Sequence, residues 1–174
     1  FDFQFFDINA KLNFKMNDNN RFFFTFYAGE DDFSSYLSPE VNSFGISWNN
    51  LAGTLRWNHL FSNRLFSNTT LNYSKYNYSL TLPQEQNGYW NSAISNLTFK
   101  TDFSWYLNPR NTIRTGLEIT YHHSVPGNVT LADDASIQQA PEVARYHSME
   151  YDLYASDEQR IIYGSISKSA ILPH

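Results

Sequence analysis

The sequence predicts an all-β fold, an antiparallel transmembrane β-barrel segment of about eight strands. Apolar and polar residues alternate with a period of two along most of the 174 residues, and the predicted connections alternate between short and long. Aromatic residues make up 18% of the chain, yet the mean hydropathy is −0.49, so large apolar rings are interleaved with polar residues. This interleaving is typical of strands with one apolar and one polar face.

The clearest alternation runs through the predicted hairpin Asn96–His122. Apolar residues fall on one face of each strand, and threonine, serine and charged residues fall mainly on the other. Like faces must stay together in an antiparallel pair, so the tight turn predicted at Asn108–Asn111 sets the register. A cross-strand charge pair contributes roughly 0.2–1 kcal/mol, which fixes register more than it supplies stability. The predicted partners are Trp105 with Ile113 and Lys100 with Glu118.

The remaining strands and connections follow from the same patterns. Further strands are predicted at Phe3–Met16, Arg21–Ala28, Phe44–Leu60, Leu65–Tyr78, Tyr146–Ser156 and Ile161–Ala170. Short turns are expected at one edge, at Asn17–Asn20, Ser62–Arg64, Asn108–Asn111 and Asp157–Arg160. Long loops are expected at Gly29–Ser43, Leu82–Asn91 and Ser124–Val143. A phase reversal predicts a β-bulge, or a strand that continues beyond the membrane, at Tyr76, Tyr78 and Leu80.

Short turns at one edge and long loops at the other are typical of an outer-membrane barrel. Aromatic residues near strand ends, such as Trp57 and Trp105, occupy the positions of interfacial girdles. A soluble antiparallel sandwich predicts the same alternation but not the difference in loop length. In a barrel the lipid-facing residues stay exposed in the isolated chain, on its convex surface. The expected set is Phe6, Ile8, Leu12, Phe14, Leu97, Phe99, Phe103, Leu117 and Ile119.

Composition excludes several classes of protein. No apolar run approaches the ~18 residues of a spanning helix, which excludes a helical membrane protein but not a barrel. The net charge of −5, without a basic cluster, argues against nucleic-acid binding. The absence of cysteine excludes a disulfide scaffold and a thiolate zinc site. The chain lacks an initiator Met and a signal peptide, so we expect a mature or partial segment of a longer protein.

No motif in the sequence indicates catalysis, so we expect neither an enzyme nor a cofactor. His122 and His123 are neighbours on a predicted strand, where their side chains point to opposite faces and cannot share one metal ion. The acidic run at Glu30, Asp31 and Asp32 lacks the spacing of a calcium loop, so it predicts a solvated surface segment. No metal site is therefore expected.

Three aromatic residues in the predicted long loops, Tyr36, Tyr89 and Trp90, are the candidate ligand-binding residues. Their rings could stack on a ligand, and girdle or loop packing is the alternative role. Charged residues on the polar face are predicted to face a lumen, where they pair with one another or contact cargo or a plug. This set is Lys11, Lys15, Arg56, Lys100, Asp102, Arg114 and Glu118.

The stretch Leu55–Leu71, with the sequence LRWNHLFSNRLFSNTTL, resembles the barrel of TonB-dependent outer-membrane receptors. The resemblance is to the branch that carries an N-terminal carboxypeptidase-regulatory-like domain. Asp102–Pro109 and Ser156–Ile161 are similar to later hairpins of that barrel. The resemblance spans most of the chain, although its motifs are strand patterns and place no family site residue. It implies that residues 1–174 form about a third of a 22-stranded barrel, without the plug or the TonB box.

The resemblance also implies a function. We expect a receptor in the outer membrane of a Gram-negative bacterium that takes up a scarce nutrient such as a siderophore, cobalamin, glycan or peptide. The implied partners are outer-membrane lipid, the TonB complex through parts absent from this sequence, and a small-molecule or oligomeric nutrient; a surface lipoprotein partner is also compatible. The alternatives are a complete eight-stranded barrel acting as anchor or adhesin, and a barrel enzyme such as a lipase or protease. In the receptor, the edge strands Phe3–Met16 and Ile161–Ala170 should not pair with each other.

Overall fold

The computed structural model describes residues 1–38, 41–81, 88–131, 144–163 and 166–169. Its elements are β1 (Asp2–Asn17), β2 (Asn20–Ser38), β3 (Val41–Ser62), β4 (Leu65–Thr81), β5 (Gly88–Asn108), β6 (Asn111–Leu131), β7 (Tyr146–Tyr163) and β8 (Ile166–Ser169). Each strand pairs antiparallel with the next, so the sheet is an up-and-down meander of eight strands. This confirms the predicted all-β, antiparallel fold class. No helix in the described part of the chain is long and apolar enough to cross a membrane.

The sheet is open. In the part of the chain that the structure describes, β1 pairs with β2 and β8 pairs with β7, and the two edge strands do not pair with each other. The predicted edge strand Ile161–Ala170 is wrong in its bounds, because Ile161–Tyr163 belong to β7, but no described residue of it pairs with β1, as predicted. A closed eight-stranded barrel would need that missing ladder.

The β5–β6 hairpin has the predicted register. Trp105 lies opposite Ile113, and Lys100 lies opposite Glu118. Lys100 Nζ donates a hydrogen bond to Glu118 Oε2 over 2.9 Å. The tight turn and the matching of like faces were therefore sufficient to fix this ladder.

Three of the predicted short turns are confirmed, at Asn17–Asn20, Ser62–Arg64 and Asn108–Asn111. All three turns lie at the same end of the strands, because a backbone hydrogen bond joins each turn to the next odd-numbered strand. These bonds run from Leu60 N to Asn19 O (2.9 Å), from Tyr106 N to Arg64 O (2.8 Å) and from Arg160 N to Arg110 O (2.8 Å).

The fourth predicted turn, Asp157–Arg160, is wrong. These residues lie inside β7, which continues to Tyr163. The neighbouring strand β6 begins at Asn111 and pairs there with Gln159, so the backbone of this segment belongs to the ladder. The Asp-Glu-Gln-Arg run has the composition of a turn but is a solvent-exposed part of a strand.

The predicted long loops are also wrong where the structure describes them. Gly29–Ser38 continues β2 and Val41–Ser43 begins β3, so the acidic run at residues 30–32 lies within a strand. Gly88–Asn91 belongs to β5 and Ser124–Leu131 to β6. The ladders continue far past the alternating apolar region, so the polar residues in these segments belong to strands rather than to loops.

The predicted bulge near Tyr76 does not occur, because β3 and β4 pair without a register shift from Gly45 to Leu60. A shift occurs instead between β5 and β6, at Asn91 and Ala93. The phase reversal instead marks the level at which the two faces of the sheet exchange polarity, while β4 continues to Thr81. The other alternative, that this part of the strand lies beyond the membrane, stays a prediction.

Near the short turns, one face of the sheet is largely apolar. We call this the apolar face and the opposite one the polar face. One register row of the apolar face contains Leu12, Phe24, Leu55, Leu71, Phe99, Ile119 and Tyr151. Six of the nine residues predicted to face lipid are exposed, and Phe103, Leu117 and Ile119 are half-buried. No apolar side chain is fully buried in the described ranges, so they contain no closed core.

The apolar band crosses the register rows obliquely. At its end far from the short turns, the last apolar residue is Phe6 on β1, Leu51 on β3 and Met149 on β7. The row of Leu51 contains His147 on β7, and the row of Phe6 contains Glu30 on β2. From β1 to β7, the boundary of the band therefore moves closer to the short turns. Strands that are tilted relative to a membrane plane give such an oblique boundary.

Candidate functional site

Beyond the apolar band, the polar face becomes aromatic. One register row on this face contains Phe33, Ile46, Leu80 and Trp90. In the next two rows on the same face, Trp48 pairs with Tyr78, and Tyr76 pairs with Ile94. We call these eight residues the aromatic patch. The apolar face shows the converse change at the same level, where it carries Glu30, Asp32, Ser47, Asn49, Asn77 and Ser79. The strands thus present two polarity patterns, one near the short turns and one far from them.

Trp90 is held in the patch by a local irregularity of β6. Its ring meets the ring of Tyr78 edge-on, with centroids 5.5 Å apart and planes at 74°. The indole lies over Gly127, where a Cβ would clash with it, and Gly127 has a φ of +154°. The register shift between β5 and β6 falls here, and Ser92 Oγ donates to Val125 O over 3.1 Å. The bulge and the glycine together make room for a large side chain.

A shallow depression of about 350 Å³ lies on the polar face, next to the patch. Tyr27, Tyr76 and Ile94 form its walls, and the small residues Ala52 and Ser74 leave its floor low. The depression exists because the register places these small residues between larger ones on neighbouring strands.

Polar groups at the depression have fixed positions. Tyr27 Oη donates to Asp7 Oδ1 over 2.7 Å, which orients the phenol. Asn96, whose Oδ1 lies 2.8 Å from His122 Nδ1, and Asn50 add amide groups to the lining. Aromatic faces beside amides and hydroxyls suit a ligand that has both flat apolar surfaces and hydrogen-bonding groups.

Nearer the short turns, the polar face carries a network of paired charges. Lys100 bonds Glu118, and Arg114 lies 3.7 Å from Glu158 across the β6–β7 ladder. Tyr154 Oη donates to Asp102 Oδ1 over 2.6 Å. Pairing within the predicted set is therefore confirmed for Lys100 and Glu118, whereas the partners of Arg114, Asp102 and Lys15 lie outside the set. Lys11 and Arg56 form no salt bridge among the described residues.

The structure separates the three candidate ligand residues. Trp90 lies in the aromatic patch, whereas Tyr89 falls on the opposite side of β5 and is 51% exposed. Tyr36 pairs through its backbone with Ser43 near the end of the β2–β3 hairpin. All three lie in strands rather than loops. Their contact with a ligand remains a prediction.

The residues that line the depression were absent from the sequence-based candidates. One signal in the sequence pointed to them, the phase reversal at Tyr76, Tyr78 and Leu80, which marks the level at which the polar face becomes aromatic. Ile94 is likewise an apolar residue at a polar-face position of its strand, but only the cross-strand register brings Tyr27, Tyr76 and Ile94 together.

The two adjacent histidines point to opposite faces, as predicted. His122 contacts Asn96 and Glu150 on the polar face, and the His123 ring stacks on His147 on the apolar face, with centroids 4.6 Å apart. Among the described residues, no group of three or more His, Asp or Glu side chains could hold a metal ion.

Comparison with known proteins gives one structural likeness. No protein-family model matches the chain, and no curated protein matches it. The ferric yersiniabactin uptake receptor FyuA from Yersinia pestis is similar in structure, with a TM-score of 0.43 and 14% sequence identity. The aligned region covers 91% of this chain and 24% of the receptor, so this chain spans about a quarter of that receptor's length.

Proposed function

We propose that this chain is part of the wall of an outer-membrane receptor barrel that takes up a scarce nutrient. The polar face lines a water-filled interior, and the apolar face contacts lipid. The aromatic patch and the depression beside it contact the nutrient near the extracellular end. The segment supplies wall and recognition surface, with no catalysis.

The exposed apolar band is the observation that carries this proposal. Its residues are exposed or half-buried in every row, so they need an apolar environment that the described chain does not supply. Along β5 the band runs from Leu97 to Trp105, which is roughly 27 Å along the strand at ~3.4 Å per residue. A tilt of ~40° reduces this to roughly 21 Å along the membrane normal, close to the ~25 Å band of outer-membrane barrels.

The open edges support a barrel larger than eight strands. In the described residues, β1 has a neighbour on one side only, and its apolar residues Ile8, Leu12 and Phe14 are more than half exposed. Unpaired backbone groups are not tolerated in lipid, so further strands must cover this edge in the membrane. A closed eight-stranded anchor or adhesin would instead need β1 paired with β8.

Site-directed labelling tests the placement of the two faces. The chain contains no cysteine, so a single cysteine in it gives a unique site for a spin label. In the intact protein in bilayers, labels at Leu55, Leu71 and Phe99 should be accessible to oxygen and protected from a water-soluble nickel reagent. Labels at Arg56 and Thr70 should show the reverse. Equal access of the nickel reagent to both sets would overturn the barrel proposal.

Uptake assays test the function. A strain of the source bacterium without the intact protein should grow poorly on one nutrient class, with siderophore-bound iron, cobalamin, glycans and peptides compared side by side. Loss of TonB should abolish the same uptake, because the proposal assigns the energy to that complex. Trp90→Ala and Tyr76→Ala should lower uptake at limiting nutrient while the protein remains at wild-type level in the outer membrane. Normal uptake in the deletion strain for every class would contradict the receptor function.

A surface lipoprotein partner is part of the same proposal, and its test is separate. Affinity purification of the intact protein from outer membranes should retain such a partner in stoichiometric amount. Recovery of the barrel alone would remove the partner from the proposal and leave the uptake function unaffected.

A further inference from the structure

Basic side chains collect on the apolar face directly beyond the apolar band, on the side of the sheet formed by β4 to β7. The register places Lys75, Ser95, His123 and His147 in one row across these four strands. Arg145 lies two residues before His147, next to the start of β7. Lys75, His147 and Arg145 are exposed, and His123 is half-buried. We call Lys75, His123, Arg145 and His147 the basic row.

The backbone holds the basic row in a fixed arrangement. The rings of His123 and His147 lie nearly parallel, at 15° with centroids 4.6 Å apart, and Tyr121 Oη lies 2.6 Å from His147 Nδ1. Neighbouring strands are ~4.8 Å apart, so the row from Lys75 to His147 spans roughly 15 Å. Lys75, His123 and His147 thus lie in one register row, with the hydroxyl of Ser95 between Lys75 and His123, and Arg145 lies two residues before His147 along the chain.

Among the described residues, the basic row has no carboxylate within salt-bridge distance. None of the salt bridges in the described ranges involves Lys75 or Arg145. Among the described residues, the carboxylates on the apolar face at this end are Asp2 on β1 and Glu30 and Asp32 on β2, which is two strands away from Lys75. On β2 and β3 the same row carries Ala28 and Leu51. On the described part of the apolar face beyond the band, the basic side chains therefore lie on the β4–β7 side of the sheet and the carboxylates on the β1–β2 side.

We propose that the basic row binds the phosphate groups of the phosphorylated glycolipid in the outer leaflet of the membrane. The inference rests on the proposed function, which places the apolar face in lipid and this end of the strands outward. On β4 to β7 the band ends one row from Lys75, on the side of the short turns. The basic row therefore lies at headgroup depth, where basic side chains attract anionic lipid. Ammonium, guanidinium and imidazolium groups all donate hydrogen bonds to phosphate oxygens.

Lipid binding to the unmodified intact protein is the first test. The delipidated protein in detergent is mixed with diphosphoryl lipid A, enzymatically dephosphorylated lipid A or phosphatidylglycerol, and bound lipid is counted by native mass spectrometry. We expect at least tenfold more bound diphosphoryl lipid A than dephosphorylated lipid A. Equal retention of these two would overturn the proposal, and so would a preference for phosphatidylglycerol, which carries a single phosphate and no sugar. This comparison needs no mutant and does not depend on the folding of one.

A charge-matched pair of variants is the second test. Each basic residue near an anionic lipid surface changes the affinity roughly fivefold, so Lys75→Gln with Arg145→Gln should weaken binding of diphosphoryl lipid A by ~30-fold. Lys11→Gln with Arg56→Gln removes the same charge from the polar face and should leave binding unchanged. Equal losses in the two pairs would mean unspecific attraction and would overturn the proposal. His123→Gln with His147→Gln should weaken binding to a smaller extent.

Failure of this inference differs from failure of the proposed function. If the spin labels place the apolar face in lipid and lipid A binds without regard to its phosphates, the basic row has no role in lipid binding but the barrel stands. If the labels show both faces in water, the barrel itself is wrong and the lipid experiment loses its basis.

Discussion

Tyr154 on β7 donates a hydrogen bond to Asp102 on β5 over 2.6 Å, across the intervening strand β6. The phenol passes over Gly116, the β6 residue that pairs with both Asp102 and Tyr154, and a Cβ there would clash with the Tyr154 ring. A glycine inside a strand ordinarily costs about 0.5–1 kcal/mol relative to alanine. Here the ring covers the bare backbone and joins three strands, as aromatic side chains do over glycines in curved sheets.

Gly116→Ala should lower the free energy of unfolding of the intact protein by about 1–2 kcal/mol, because the methyl group displaces Tyr154 and breaks its bond to Asp102. The measurement is the urea midpoint of the protein refolded in vesicles, followed by heat-modifiable migration on gels. The control is Gly53→Ala, because a Cβ at Gly53 has no atom within 4 Å. That variant should unfold at or above the wild-type urea concentration, and a loss equal to that of Gly116→Ala would contradict the space argument.

The arrangement of Gly116 shows which contacts the sequence alone can and cannot predict. The β5–β6 register was predictable, because a tight turn and two alternating faces leave one pairing that keeps like residues together. The bond from Tyr154 to Asp102 was not, because a long connection separates β6 from the predicted strand Tyr146–Ser156 and no tight turn sets the register between them. Composition identifies polar segments but does not distinguish an exposed strand end from a turn.

The same limit explains why the sequence alone does not identify the candidate site. Alternation along one strand gives the faces of that strand, but a site such as the depression between Tyr27 and Ile94 depends on pairing between β2 and β5 through two further strands. Trp90 is a sequence-based candidate because it is a large aromatic residue in a predicted loop. In the sequence, Tyr76 stands out only as a break in the alternation. The break marks the level at which the polar face becomes aromatic, and β3 and β4 pair there without a bulge.

The Lys100–Glu118 pair should contribute little to stability and depend on salt. Their side chains are 43% and 35% exposed, so solvent screens the attraction. A double-mutant cycle with Lys100→Met and Glu118→Gln should give a coupling energy of about 0.2–1 kcal/mol at low salt. Raising the ionic strength to about 1 M should reduce this coupling, because the Debye length falls to about 3 Å. A coupling energy that is large and insensitive to salt would mean that the pair is shielded from water in the intact barrel.

Asp18, in the first short turn, should titrate below the usual range. The hydrogen bond from Lys15 Nζ at 2.6 Å, together with the positive charge, lowers the pKa of the carboxyl group from its ordinary value of 3.8. Because the folded pKa is the lower one, the interaction contributes fully above the unfolded pKa and is lost as pH falls through the folded pKa. Carbon NMR of the labelled intact protein should show the pKa of Asp18 rising in Lys15→Met and unchanged in Lys11→Met. The same pKa in wild type and Lys15→Met would show that the pair does not form in solution.

Adjacent residues on opposite faces give the sharpest test of the membrane placement. Phe24 lies on the apolar face between Leu12 and Leu55, and Thr25 lies on the polar face between Lys11 and Thr54. Phe24→Arg places a cation near the middle of the band and should cost about 2–4 kcal/mol in lipid, whereas Thr25→Arg enters a water-filled interior and should cost below about 1 kcal/mol. The fraction of folded protein in isolated outer membranes, read from heat-modifiable migration, should fall in the first variant and not in the second. A soluble sandwich would give the opposite ranking if Thr25 faced a packed core, and equal tolerance at both positions would mean that both faces are in water.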